Sequence, residues 1–213
     1  GKDETAYAVV KILNSQLFVT ASGGYLGGYT PEILRALGKT AKDHKVNMII
    51  VESNFGDGMF SQLLKPVLST DVGYPCTVEE VKHSVQKERR IIDTLEPVMN
   101  SHKLVIDKGV VELDIQDTGE LTDKATRGDL VANKQLYQLF YQMSRLTFDK
   151  GALRHDDRLD ALAIAVNYWV EQMEAHTGTL MQDHRDEMVD KELTKFMESH
   201  NKLWGVTEKT TWM

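Results

Sequence analysis

The sequence predicts an α/β domain, and three features predict it. Two β-rich stretches, 5–13 (TAYAVVKIL) and 16–22 (QLFVTAS), stand two residues apart, the spacing of a tight antiparallel hairpin. The run 46–52 (VNMIIVE) is apolar without alternation, as a strand buried on both faces would be. Helical patterns then alternate with short strand-like runs, the order of crossover units.

Each element has its own signal. Asn14-Ser15 supplies the hairpin turn, and Gly23-Gly24 and Gly27-Gly28 are expected to break regular structure after it. Thr30-Pro31-Glu32 reads as a helix start, with Thr30 as N-cap and Pro31 at the first helical position, for a helix running to about His44. A loop at 53–58 and a short helix (MFSQLLKPVLS) follow the apolar run. A strand is expected within 76–83. A helix over 86–99 would put Ile91, Ile92, Leu95 and Val98 or Met99 on one face. Short strands are predicted at 103–107 and 110–115, a polar loop at 116–129, and an aromatic-rich helix at 130–147 that reads as core. A second helix starts near Asp156 and runs to about Ala175. These elements form one domain over 1–177. Residues 178–213 form a charged helical appendage whose Trp204 and Trp212 suit a docking segment.

Composition narrows the function. The chain has 213 residues and 41% hydrophobic content, ordinary for a globular protein. No apolar run approaches the ~18–20 residues of a membrane span. One cysteine, Cys76, excludes an internal disulfide and a Cys-rich zinc site, and reads as a small buried apolar residue. The net charge of −7, with 32 acids against 25 Lys and Arg, counts against a protein that merely coats nucleic acid. It suits a carboxylate cluster that divalent cations neutralise before phosphate arrives. Gly38-Lys39-Thr40 imitates a phosphate loop, but Ile33 stands where the motif needs glycine and the triplet falls inside a helix.

Two acidic features carry chemistry. Glu52 closes the apolar run, and the carboxyl ends of strands are where open α/β sheets place their sites. His155-Asp156-Asp157-Arg158-Leu159-Asp160 opens a helix whose buried stripe is Leu159, Leu162, Val166, Trp169 and Met173. At about 100° per residue, Asp156 and Asp160 stand ~40° apart at the edge of that stripe. The helix dipole accounts for one or two acids in a first turn, but poorly for a further one beside the core. Basic residues form two clusters: Lys82, His83, Lys87, Arg89 and Arg90, which read equally well as a solvated face, and Arg145, Lys150, Arg154 and Arg158, which surround the acids of the helix start as a site binding a phosphodiester through metal would require.

Four stretches together resemble a known family. They are Gly1-Lys2-Asp3-Glu4-Thr5-Ala6-Tyr7-Ala8, the segment from Val51 to Phe60, the segment from Arg90 to Pro97, and the segment from Gly151 to Leu162. Over roughly residues 1–175, and in the right order, they resemble the C-terminal nuclease half of the large terminase subunit of phages, most of all the DNA maturase of short-tailed phages. The resemblance implies a ribonuclease-H-like (RuvC-like) mixed sheet flanked by helices. It implies a metal-dependent endonuclease that cuts concatemeric double-stranded DNA during packaging, at the procapsid portal in the host cytoplasm. Implied partners are the portal and procapsid, the small terminase subunit, and an ATPase domain upstream in the same polypeptide.

By the same resemblance, Glu52, Asp156 and Asp157 are the catalytic metal ligands for two Mg²⁺ or Mn²⁺ ions, supported by His155, Asp160 and Asp3. Lys87, Arg89, Arg90, Arg154 and Arg158 are the expected DNA contacts. The family's first catalytic aspartate lies on a first strand just before the Gly1-Lys2-Asp3-Glu4-Thr5 stretch. This sequence opens at Gly1, so that strand is expected upstream, the neighbouring strands should show unpaired edges, and the site should lack one wall. The stretch taken alone is then expected to be weak or inactive. Two rival readings are a junction resolvase of the same fold and a non-catalytic module that docks on the portal or another packaging protein.

Overall fold

The structure, a computed structural model, describes residues 4–53, 58–116 and 135–204. Two compact units divide the chain, Gly1–Trp169 and Val170–Met213. In the first unit, β1 (Glu4–Leu13) and β2 (Gln16–Leu26) form the predicted hairpin. Asn14 and Ser15 both take positive φ, 50° and 60°, the left-handed pair that matches the twist of a two-residue turn. β2 runs straight through Gly23-Gly24, where a break was expected. The glycines serve packing instead: a Cβ on Gly24 would lie 2.3 Å from the Glu4 carboxyl, and one on Gly23 would lie 2.9 Å from the Tyr7 hydroxyl.

The helix α1 (Pro31–Asp43) starts as the sequence reads, with the Thr30 side chain accepting from the Ile33 N–H. β3 (Met48–Glu52) pairs in parallel with β4 (Thr77–Val81). Between them lie α2 (Met59–Pro66) and a wide turn over Val67–Asp71. Leu34, Ala41, Leu64 and Leu68 form a core with Val46, Ile49, Phe60 and half-buried Cys76 against them.

Next come α3 (Lys87–Asn100) and β5 (Leu104–Ile106), the latter parallel to β2. The predicted face of α3 is buried at Ile91, Leu95 and Val98, while Met99 is exposed. The predicted strand at 110–115 is instead a helix, α4 (Lys108–Gln116). Asp107 caps it, its Oδ1 accepting from the Gly109 N–H at 2.7 Å. With that cap in place Val110 and Asp114, one turn apart, turn inward, whereas Leu113 and Ile115 face solvent.

The aromatic helix is also shorter than expected: α5 spans Leu139–Arg145. Its start is set from outside, because the Asp114 carboxylate accepts from the N–H groups of Leu139 and Phe140, at 2.8 and 3.1 Å. Its core character holds at Tyr137 and Leu139. The last element, α6, is assigned over Asp157–Trp204, and Thr177-Gly178 does not interrupt it. Within the first unit it buries Leu159, Leu162, Ala163 and Val166, and Trp169 Nε1 donates to the Val10 carbonyl of β1. No helix among the described residues is long and apolar enough to cross a membrane.

The sheet is in two pieces, β1-β2-β5 and β3-β4. Among the described residues, β1 bonds only β2 and β3 bonds only β4, so each offers an open edge. Both edges line one cavity of about 870 Å³, walled by β1 from Glu4 to Ile12 and by β3 from Met48 to Glu52. Apolar side chains of α1 and α6, among them Leu37, Ala41, Ile164 and Trp169, complete its lining. Buried backbone edges need partners, and a slot between two such edges is where an extended segment would find them.

Candidate active site: carboxylates gathered by two cations

Four predicted acids meet at one end of this slot. Glu52 is delivered by β3, which was expected to be buried on both faces but is half-buried along its whole length because only β4 pairs with it among the described residues. Asp156, Asp157 and Asp160 come from the start of α6, where the Asp160 N–H bonds the Asp156 carbonyl at 2.9 Å. Glu52, Asp157, Asp160 and Lys87 all line the cavity.

What draws them together is the first turn of α3. Lys87 and Arg90 stand three residues apart and share a helix face. The Lys87 ammonium lies 2.7 Å from Asp156 Oδ1, 3.1 Å from Asp160 Oδ2 and 4.0 Å from Asp157 Oδ1. One Arg90 nitrogen lies 2.8 Å from Asp160 Oδ1 and 3.4 Å from Glu52 Oε1, joining β3 to α6. Burial alone would pull the Lys87 ammonium down, but Asp160 and Asp156 outweigh it and hold it well above the usual lysine range.

The remaining basic residues divide. Arg89, one step round the helix, is largely exposed and, among the described residues, pairs with Asp93 one turn on. Arg154 is exposed and lines a hollow of about 330 Å³ with Tyr141, Arg145 and His155. Arg158 requires a correction. Its side chain is 3% exposed, with Nε 2.8 Å from Glu4 Oε1, Nη2 3.3 Å from Glu4 Oε2, and Nη1 3.5 Å from Asp114 Oδ1. A guanidinium spent on two buried carboxylates does not reach a DNA phosphate, so Arg158 is an anchor of α6 rather than a DNA contact. Its place was readable: Arg158 is one turn before Leu162 and two before Val166, inside the apolar stripe.

His155 is buried and stacks on Tyr137, ring centroids 4.1 Å apart. Asp3 lies outside the described residues, as do residues 54–57 of the loop after Glu52, most of the 116–129 loop, and Trp212. Three supporting residues escaped the sequence reading. Glu4 and Asp114 hold Arg158. Gln142, fully buried, accepts from the Leu159 N–H at 3.0 Å and donates to the Leu136 carbonyl at 3.1 Å. Glu88 is a further tie: its carboxylate accepts from the Gly151 N–H at 2.6 Å, fixing the turn that leads into the acidic segment.

The donor chemistry suits a hard divalent cation, for all four groups present carboxylate oxygens. Asp160 Oδ1, buried at the centre, has Arg90 beside it but, among the described residues, no donor aligned to hydrogen-bond it. It keeps acceptor capacity for a cation. The acids are nonetheless not pre-arranged as a cage: among the described residues no three of His, Cys, Asp and Glu are grouped to hold an ion outright.

The chain resembles known proteins over most of its length. Residues 1–104 match the family described as the ribonuclease-H-like domain of the bacteriophage T7 terminase. Over 174 residues the chain is 41% identical to the terminase large subunit of Enterobacteria phage T3, an alignment covering 82% of this chain. The chain spans 28% of the length of that relative.

Proposed function

Residues 1–104 carry the ribonuclease-H-like domain of a phage terminase large subunit, and from that premise we propose that the chain is the endonuclease part of a DNA-packaging terminase. Its substrate is concatemeric double-stranded DNA, cut at the procapsid portal in the host cytoplasm, in company with the small terminase subunit and an ATPase domain of the same polypeptide. The observation that carries the reading is the meeting of Glu52 from β3 with Asp160 from α6 on a single Arg90 nitrogen, at the mouth of the slot.

In this reading Glu52, Asp156 and Asp157 hold two Mg²⁺ or Mn²⁺ ions, which when bound supply an activated water and charge stabilisation for the leaving 3′ oxygen. Asp160 sets the spacing of β3 and α6 through Arg90. His155, fixed on Tyr137, orients the start of α6. Arg154 faces solvent beside the acids and is placed to hold a phosphate without reading sequence. The slot takes a further β-strand, paired on both edges, that brings the family's first acidic residue to the same point.

The test is nicking of supercoiled plasmid by the full-length polypeptide in Mn²⁺. Outer groups that orient metal ligands typically cost 10–100-fold when lost. Direct ligands should cost at least as much, so Glu52→Gln and Asp157→Asn are expected to slow cutting by at least ~100-fold. Cutting at the parental rate by either variant sinks the assignment.

A further inference from the structure

The Lys87 ammonium occupies the point on which three carboxylates converge. Its nitrogen is within 4.0 Å of oxygens from Asp156, Asp157 and Asp160, at 2.7 Å from the first and 3.1 Å from the last. Lysine is suited to that place, being a compact point charge with three donors on a flexible stem. A divalent ion would bind carboxylate oxygens at roughly 2.0–2.1 Å. An ion held by the oxygens that now face Lys87 would therefore sit almost in contact with the ammonium, and the two positive charges repel. The two α3 cations differ in their freedom to leave. The Lys87 side chain is 37% exposed and opens on solvent, whereas Arg90 is 12% exposed and bridges Glu52 to Asp160.

We propose that Lys87 is a resident cation standing in for a divalent ion beside Asp156 and Asp157, with Asp160 as its outer partner, and that it swings out to solvent when the ion enters. The inference rests on the nuclease reading above. It assigns Lys87 a positioning role. Before metal arrives, the ammonium keeps mutually repelling acids together, as the net charge of the cluster demands. After metal arrives, the freed ammonium stands beside the site and can meet a DNA phosphate. Arg90 stays in place throughout and preserves the distance between β3 and α6.

The experiment follows Lys87 directly, using the full-length protein and Mn²⁺ alone, without DNA. Lysine acylation by acetic anhydride is read by mass spectrometry at each residue as Mn²⁺ is titrated. Calorimetry measures Mn²⁺ binding to the parent and to Lys87→Met. Lys87 should acylate slowly without metal and several-fold faster at saturation, along the same curve as binding. Lys87→Met should bind Mn²⁺ at least ~10-fold more tightly, since nothing need be displaced. The acylation measurement uses the parent protein and decides the matter even if Lys87→Met does not fold. If Mn²⁺ binds in a Glu52- and Asp157-dependent manner while Lys87 reactivity is unchanged, the displacement is refuted and the nuclease reading stands. If no carboxylate-dependent Mn²⁺ binding occurs, both fall.

Discussion

Removing the Arg158 guanidinium should unfold the first unit before it affects any contact with DNA. The side chain is 3% exposed, and its partners Glu4 and Asp114 are 0% and 5% exposed. Arg158→Met preserves most of the stem volume but removes the cation shared by two buried carboxylates, of which Asp114 keeps its bonds from the Leu139 and Phe140 N–H groups. Breaking a buried pair from one side costs about 3–5 kcal/mol, because the buried charge left behind has lost its counter-ion. For a unit of this size, at ~2–4 °C per kcal/mol, that is a fall in Tm of roughly 6–20 °C. Urea unfolding followed by tryptophan fluorescence and circular dichroism measures it. A double-mutant cycle with Glu4→Gln isolates the pair, and the double variant should be less destabilised than the sum of the singles by the order of 1–3 kcal/mol. A loss below ~1 kcal/mol, within the range of a surface ion pair, would refute the anchor. So would unchanged stability with weakened DNA binding, which would return Arg158 to the phosphate-contacting role the sequence suggested.

Two further outcomes follow from the same region. Gly24→Ala places a Cβ 2.3 Å from the Glu4 carboxyl, which Arg158 holds fixed. It should cost about 1–3 kcal/mol as overpacking, and its effect should shrink in an Arg158→Met background; full additivity in urea unfolding argues against the shared cause. Glu88 has its carboxyl held below the ordinary carboxylate value, first by the Gly151 N–H and then by its own helix N–H, against an opposing effect of burial. A lowered folded-state value means the contribution is present above the unfolded value and is lost as pH falls through the folded one. Glu88→Gln should therefore be destabilised at neutral pH and converge on the parent in acid; a deficit that stays unchanged as the pH is lowered contradicts the assignment.

What the sequence made legible was local. The hairpin turn at Asn14-Ser15, the Thr30 cap and the β3 run ending in Glu52 each follow from a few adjacent residues, and each appears where expected. The acidic start of α6 was visible as a run with more charge than a helix start needs. What could not be read locally was direction and distance. Lys87, Arg89 and Arg90 look alike in sequence, and only the rotation of α3 sends two inward and one to solvent. The helix α4 was hidden by two valines whose β-branched character outweighed a single capping aspartate. The partner of Arg158 is Glu4, 154 residues away, and no spacing rule reaches that far.

The slot between β1 and β3 leaves α6 to join the two half-sheets. Among the described residues the half-sheets share no backbone hydrogen bond; α6 is tied to β1 by Arg158 and Trp169 and to β3 through Asp160 and Arg90. The helix that carries the acids is therefore also the brace of the sheet, and side-chain bonds along its first turns do the joining that backbone bonds do within each half. A substitution that loosens the brace would loosen the acid cluster with it.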